Sequence, residues 1–202
     1  MQRLDLDLAA ASVEELFNAA GALRNGHFLL KSGRHSDRYL EKFAVLQYPS
    51  LAVEIGRRLA DVLAPHGPTL VVGPTTGGVL LAFETARQLE ARLGRQVRGV
   101  FAEPAERGMR SLRRGWPVAA DERVVLVDDI LTTGASLAET ARAVRAAGAE
   151  PLAAAVIVDR STGPVDVGTP IEALGRIEIS SWVAADCPLC ASGEPLVKPG
   201  SS

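Results

Sequence analysis

The sequence predicts an α/β protein with a central, mainly parallel sheet flanked by helices. Short apolar segments such as 69–73 (TLVVG) and 123–127 (RVVLV) lack polar alternation, which fits strands that are buried on both faces. Segments with helical periodicity separate these strands, as expected for right-handed crossovers in a parallel sheet. The chain has 202 residues, 47% of them hydrophobic, so it can bury one substantial core.

The first part of the chain predicts two helices around a polar segment. Ser12 and Glu15 have capping-box spacing ahead of a short N-terminal helix. Residues 27–46 mix polar turn residues with β-forming ones. The segment that starts at Pro49 predicts an amphipathic helix with proline in its first turn.

The remaining segments alternate between strand and helix. The strand at 69–73 precedes a helix over 75–94, and the strand at 123–127 precedes a helix over 134–148. A strand at 96–101 leads into an Arg-rich polar stretch, and a strand at 151–158 ends at Asp159 and Arg160. Loops at the carboxyl ends of parallel strands gather in one crevice, so ligand-binding residues are expected after each of these strands.

Composition excludes several classes of protein. The 22 basic and 24 acidic residues give a formal charge of −2 and no overall bias towards nucleic acid. No apolar run is long enough to cross a bilayer, and the N-terminus lacks the order of a secretory signal. We therefore expect a soluble cytoplasmic protein that binds neither nucleic acid nor membrane.

Residues 124–136 (VVLVDDILTTGAS) combine adjacent acids with a polar helix start. Hydroxyls and free backbone N–H groups at a helix N-terminus form an anion site, which suits a phosphate. Asp128 and Asp129 precede it at a spacing that could hold the vicinal hydroxyls of a ribose whose 5′-phosphate occupies that site. The alternative is a strand-end acid at Asp128 and a helix cap at Thr133, neither of which needs a ligand. In either case both acids are expected at the edge of a loop.

The same segment resembles the motif with which type I phosphoribosyltransferases bind phosphoribosyl pyrophosphate (PRPP). Residues 26–42 (GHFLLKSGRHSDRYLEK) and 156–160 (VIVDR) are similar to the substrate segments of orotate phosphoribosyltransferases. Residues 101–115 and 187–201 resemble a Thermus-like bacterial branch of that family. The likeness extends from about residue 20 to the end of the chain.

The resemblance implies a type I phosphoribosyltransferase fold that forms one domain over residues 1–202. A small hood would come from about residues 1–45 and 170–202. The implied activity is that of a glycosyltransferase, the magnesium-dependent transfer of the phosphoribosyl group of PRPP to N1 of orotate in pyrimidine (UMP) biosynthesis. The resemblance also implies a homodimer, with the loop 102–120 near the partner subunit.

The family motif assigns roles to individual residues. Asp128 and Asp129 would contact the ribose hydroxyls directly or through water on a magnesium ion that PRPP and water mainly hold. Lys31 would lie near pyrophosphate and orotate, Thr132 would face the base, and Arg160 would pair with the orotate carboxylate, for which a guanidinium fork is well shaped. The 5′-phosphate site would comprise Thr133, Gly134, Ala135 and Ser136, and the pyrophosphate loop Thr75, Thr76, Gly77 and Gly78.

One segment departs from the family pattern. Many orotate enzymes carry lysines and a histidine in the loop between the second and third strands, whereas residues 102–122 contain neither. We expect Arg113 and Arg114 to replace those lysines and to act in catalysis. Arg107 and Arg110 are equally consistent with a solvated basic loop.

Other interpretations stay open at this point. The chain could transfer phosphoribose to another base, or it could be a PRPP-sensing regulatory homologue, although no DNA-binding module or basic face is visible. A dinucleotide oxidoreductase would need a Gly-x-Gly-x-x-Gly motif after a strand, which is absent. Cys187 and Cys190 have the spacing of half a zinc site without a second pair, so no metal is expected there unless two subunits pool their cysteines. His27 and His35 flank Lys31 and either line the substrate pocket or have a structural role.

Overall fold

The computed structural model describes residues 6–30 and 32–199. The helices are α1 (Val13–Ala19), α2 (Lys42–Leu46), α3 (Pro49–Leu63), α4 (Gly77–Leu93), α5 (Ala135–Ala146) and α6 (Pro188–Ala191). The strands are β1 (Leu23–Leu29), β2 (His35–Leu40), β3 (Leu70–Pro74), β4 (Arg98–Pro104), β5 (Arg110–Ser111), β6 (Val124–Leu131), β7 (Pro151–Asp159), β8 (Ile171–Arg176) and β9 (Ser181–Trp182). None of the described helices is long and apolar enough to cross a lipid bilayer.

A six-stranded sheet lies at the centre, in the order β5-β4-β3-β6-β7-β8. Its strands pair in parallel, except that the short β5 runs antiparallel to β4 at one edge. Every residue of β3 is buried, and so is nearly all of β6. The predicted parallel sheet, apolar on both faces, is confirmed.

The two faces of the sheet pack against different helices. Val71, Val125 and Ile157 face one core with the leucines of α3 and α4, whereas Leu126 and Val156 face a second core with α5. Successive side chains of a strand point to opposite faces, so one apolar run supplies both cores. Full burial of each of these side chains stabilises the fold by roughly 1.5–3 kcal/mol.

The helix boundaries follow the capping signals in the sequence. The backbone N–H of Glu15 donates to Ser12 Oγ at 3.2 Å, and the Ser12 N–H donates to Glu15 Oε2 at 2.7 Å. This is the predicted capping box at the start of α1. Pro49 occupies the first turn of α3, which confirms the predicted helix start there.

Strand β6 is longer than the sequence predicts. Its parallel pairing with β7 continues through Asp128 and Ile130 to Leu131, which lies opposite Asp159. Asp128 and Asp129 are each only 4% exposed, so the prediction that they sit at the edge of a loop is wrong. The ladder uses backbone groups alone, so a paired neighbouring strand can extend β6 through polar residues.

A second, smaller sheet has the strand order β1-β2-β9 and is antiparallel. Phe28 in β1 also forms a bridge with Val197, which draws the C-terminal segment alongside. Residues 171–176, assigned from the sequence to the hood, instead form the edge strand β8 of the large sheet, where parallel pairing with β7 satisfies their backbone groups. The C-terminal contribution to the small sheet thus begins after β8.

Candidate active site

A cleft of about 570 Å³ opens at the carboxyl ends of β3, β6 and β7. This is the edge of the sheet at which a parallel α/β fold is expected to bind ligands. Strand ends, the start of α4 and the segment around α2 form its walls. The lining residues include Tyr39, Glu41, Lys42, Phe43, Thr75, Gly77, Arg110, Asp128, Asp129, Thr132, Ser136 and Arg160.

The two aspartates form the floor of the cleft and point to opposite faces of β6. Asp128 accepts a hydrogen bond from Ser136 Oγ at the start of α5 and one of 2.8 Å from the Asp129 N–H. Asp129 Oδ2 lies 2.7 Å from Lys42 Nζ on α2. Adjacent residues of one strand therefore connect the helices on both sides of the sheet.

The environment of Asp128 disfavours its charged form. Burial, together with the neighbouring charge of Asp129, raises the pKa of Asp128 to about 6. The hydrogen bonds from Ser136 and from the Asp129 N–H act in the opposite direction, as does Lys42. The cleft thus holds a carboxylate whose charge is costly in the absence of a ligand.

Helix α5 starts beside these carboxylates with a backbone cap. Gly134 is the N-cap, with φ +75° and no side-chain cap bond, and Ala135 is the first helical residue. A Cβ at position 134 would lie 2.3 Å from Val165 Cγ1, so both the conformation and the space require glycine. The N-terminal N–H groups of the helix lie beside Thr133 and Ser136, at the position where the sequence predicts a phosphate site.

The loop 74–78 approaches the aspartates closely. The peptide bond between Thr75 and Thr76 is cis, and α4 begins immediately afterwards at Gly77. A Cβ at Gly77 would lie 2.2 Å from Asp129 Oδ2. Glycine is therefore needed here for the loop and the acid pair to share one site.

The arginines of the loop 102–120 occupy different positions. Arg110, on β5, is 15% exposed at its side chain and donates to Thr75 Oγ1 at 3.3 Å and to Ala102 O at 3.2 Å. Arg114 forms a bidentate pair with Glu103, at 2.7 and 3.0 Å, and is 59% exposed. Arg113 is exposed and donates to Ser111 Oγ at 3.1 Å. Within this chain, Arg110 lines the cleft, whereas Arg113 and Arg114, the two arginines that the sequence favoured, do not.

Arg160 follows β7, and its backbone N–H donates to Leu131 O at 2.8 Å, which fixes its position beside Thr132. Burial lowers the pKa of its guanidinium. Its Nε is buried without a hydrogen-bond partner among the described residues. An unpaired buried donor is costly, and a carboxylate ligand would satisfy it.

Comparison with known proteins places this site in a family. The model of the phosphoribosyl transferase domain matches residues 44–188, which include both the loop 74–78 and the motif 124–136. The chain belongs to the phosphoribosyltransferase family. The type I phosphoribosyltransferase fold expected from the sequence is confirmed.

Relatives within the family share most of their length with this chain. The orotate phosphoribosyltransferase of Pelotomaculum thermopropionicum is 45% identical over 186 residues, which cover 92% of this chain and 94% of the relative. The orotate phosphoribosyltransferase of Thermotoga maritima is 40% identical over 189 residues, which cover 94% of this chain and 97% of the relative. Among solved structures, orotate phosphoribosyltransferase from Aeropyrum pernix matches with a TM-score of 0.61 and 26% sequence identity. The match covers 82% of this chain and 93% of the Aeropyrum chain. The resemblance to orotate phosphoribosyltransferases drawn from the sequence is thus confirmed.

The cleft also contains residues that sequence reasoning missed. Lys42 pairs with Asp129, and Tyr39 and Glu41 line the same wall. All three lie at the end of the substrate-like segment 26–42, in which the sequence singled out Lys31 instead. Lys31 lies outside the described residues. The signal available for Lys42 was that it is one of only three lysines in the chain and lies in that segment.

Proposed function

We propose that this chain is an orotate phosphoribosyltransferase. It would transfer the phosphoribosyl group of PRPP to N1 of orotate, so that the bond from C1 to the pyrophosphate oxygen breaks and orotidine 5′-monophosphate forms. The reaction belongs to pyrimidine (UMP) biosynthesis. The proposal is supported by the relatives with that name. One observation carries it: Asp128, Asp129 and the start of α5 share a cleft with Arg160, whose Nε is buried and has no hydrogen-bond partner among the described residues.

The sugar-phosphate of PRPP would bind along β6 and the start of α5. We assign the ribose hydroxyls to Asp128 and Asp129, since carboxylates are strong acceptors for vicinal hydroxyls. The 5′-phosphate would accept hydrogen bonds from backbone N–H groups and hydroxyls at the helix start, with the helix dipole favouring its charge. That group comprises Thr133, Gly134, Ala135 and Ser136.

Orotate would bind between Arg160 and the sugar. A guanidinium can hold its carboxylate with two parallel hydrogen bonds, which would use the unpaired Nε. Thr132, which also lines the cleft, would face the base, and Lys31 is assigned to the same region from the family pattern alone. Orotate is already an anion, so the site would position it rather than activate it.

The pyrophosphate would leave from the loop 74–78, which contains Thr75, Thr76, Gly77 and Gly78. Arg110 contacts Thr75 and is the described loop arginine that lines the cleft, so we propose that it stabilises the leaving charge. We also propose a homodimer with the loop 102–120 near the partner subunit. Arg113, exposed in this chain, would then be available to the partner's cleft.

Catalysis in this cleft would be electrostatic. Positive charge develops on the ribose as the bond to pyrophosphate breaks, while the leaving group becomes more anionic. With PRPP bound as proposed, Asp128 and Asp129 would lie on the sugar side and Arg110 on the side of the leaving group. Fixed charges of opposite sign would then meet the two developing charges. No nucleophilic side chain is required.

The donor set also fits a magnesium ion held mainly by PRPP and water. Asp129 Oδ2 is paired with Lys42, and Asp128 accepts two hydrogen bonds. These acids are therefore better placed to accept hydrogen bonds from water molecules on the ion than to coordinate the ion directly. When bound, magnesium would neutralise charge on the pyrophosphate.

The small sheet β1-β2-β9 would act as a hood over this cleft. We propose that residues 1–202 form a single domain, in which Tyr39 and Glu41 extend from the hood into the wall of the site.

The test is a substrate panel with purified protein, magnesium and PRPP. Pyrophosphate release is measured with orotate, uracil, adenine and hypoxanthine in turn, and the expected result is release with orotate alone. Release with a different base would assign another phosphoribosyltransferase activity. PRPP binding by calorimetry without release for any base would instead support a PRPP-sensing regulator.

A further inference from the structure

A cluster of two histidines and two cysteines lies where the small sheet meets α6, apart from the residues assigned to the reaction. His27 on β1 and His35 at the start of β2 lie next to Cys187 and Cys190. Cys187 immediately precedes α6, and Cys190 lies within it. One candidate ligand atom from each residue lies within 4.8 Å of the other three. His27, His35 and Cys187 are buried, and Cys190 is exposed.

The distances between these atoms approach those of a tetrahedral site. Cys187 Sγ and Cys190 Sγ lie 3.5 and 3.7 Å from His27 Nε2, and Cys190 Sγ lies 3.2 Å from His35 Nδ1. A tetrahedral zinc ion with Zn–N of about 2.05 Å and Zn–S of about 2.3 Å separates its nitrogen and sulfur ligands by about 3.5 Å. The two imidazole nitrogens are 2.9 Å apart, so each needs to move only a few tenths of an ångström to reach the separation of about 3.3 Å expected in such a site.

The hydrogen bonding of His27 orients one lone pair into the cluster. Its Nδ1 lies 2.8 Å from the backbone carbonyl oxygen of Glu194, which can only accept, so Nδ1 carries the proton. Nε2 is then an acceptor that faces His35 Nδ1 and two sulfur atoms. The single lone pair of Nε2 can accept a good hydrogen bond from only one of these three neighbours. A cation at the centre of the cluster would instead accept one lone pair from each of the four side chains.

We propose that His27, His35, Cys187 and Cys190 bind one structural zinc ion. Two thiolates and two imidazoles, closed to further ligands, are typical of structural rather than catalytic zinc. The sequence offered no second ligand pair for Cys187 and Cys190, and the structure supplies a candidate pair. The second pair consists of histidines that lie about 160 positions earlier in the chain.

The position of the site indicates what the ion would do. The segment after Cys190 returns to β1, where Val197 accepts from the Leu29 N–H and donates to His27 O, each at 2.8 Å. Pro199, two residues further on, lines the cleft. The ion would therefore hold the C-terminal segment against the small sheet and stabilise one wall of the cleft.

The first experiment measures metal in protein purified without a histidine tag, under reducing conditions and from zinc-containing medium. We expect one zinc ion per chain by elemental analysis after dialysis. Cys190→Ser and His35→Gln should each lower zinc affinity at least ~10-fold. His66→Gln alters the one histidine outside the cluster and should retain full zinc, which makes it the matched control.

A second measurement separates loss of metal from loss of fold. Wild-type protein stripped with a chelator and reloaded with cobalt should show the intense visible bands of a tetrahedral ion and a sulfur-to-cobalt charge-transfer band. Zinc-free wild-type protein that takes up neither zinc nor cobalt while its two thiols are reduced would overturn the proposal. A zinc affinity of the Cys190→Ser variant equal to that of the wild type, measured by competition with a chelator, would overturn the ligand set.

Discussion

Replacement of Asp128 by asparagine should stabilise the free protein while it removes activity. Asparagine keeps the size of the side chain and can still accept from the Asp129 N–H, but it carries no charge. The wild-type carboxylate is 4% exposed and lies beside Asp129, and both facts raise its pKa to about 6. The variant therefore removes a charge that folding has to bury.

The magnitude follows from proton linkage. The difference between about 6 in the folded state and the usual value of 3.8 corresponds to about 3 kcal/mol at 1.36 kcal/mol per pKa unit. The pKa of Asp128 is higher in the folded state than in the unfolded state, so protonation of Asp128 favours folding. This contribution to the free energy of unfolding is fully present below pH 3.8 and is lost as the pH rises through about 6. Between pH 5 and pH 8 the free energy of unfolding of the wild type should fall by about 1 kcal/mol through this group.

Urea unfolding of both proteins at pH 5 and pH 8, without PRPP, measures this effect. The gain in the free energy of unfolding from Asp128→Asn should be larger at pH 8 than at pH 5 by about 1 kcal/mol, and titrating groups remote from position 128 cancel in the comparison. Turnover of PRPP and orotate by the variant should fall by ~10–100-fold, since a ribose hydroxyl loses a charged acceptor. An equal stability difference at the two pH values would refute the assignment of a buried, charge-disfavouring site.

Three further variants test other parts of the site. Gly77→Ala places a methyl group 2.2 Å from Asp129 Oδ2, so kcat/KM should fall at least ~10-fold with the circular dichroism spectrum unchanged; unaltered kinetics would contradict the close approach. Arg160→Gln should raise KM for orotate by ~10–100-fold and leave KM for PRPP unchanged, because a charged hydrogen bond contributes about 1.5–3 kcal/mol; an equal rise for both substrates would move Arg160 out of the orotate site. Arg110→Gln should lower kcat/KM for PRPP more than the matched Arg113→Gln does, and the reverse order in steady-state assays would assign the leaving group to Arg113.

Local patterns in the sequence were sufficient for much of the fold and for the centre of the site. The capping box at Ser12, the proline start of α3 and the apolar strands β3 and β6 depend on interactions within a few residues or on burial of both strand faces. The helix start at Gly134, where we propose that the 5′-phosphate binds, is equally local, because neighbouring residues supply both the acids and the start of the helix. Such features can be read from consecutive residues because short-range geometry determines them.

Tertiary structure decided everything that joins distant segments. It extended β6 through Asp128 and Asp129, since pairing with β7 rather than side-chain polarity sets the length of the strand. It placed Lys42 against Asp129 and Arg110 in the cleft, where the sequence had favoured Arg113 and Arg114. It also brought His27 and His35 to a pair of cysteines that had no visible partner. The sequence by itself determined the residue types and their local geometry. Contacts between residues 80 to 160 positions apart form only when the sheets assemble, because backbone pairing and core packing bring those segments together.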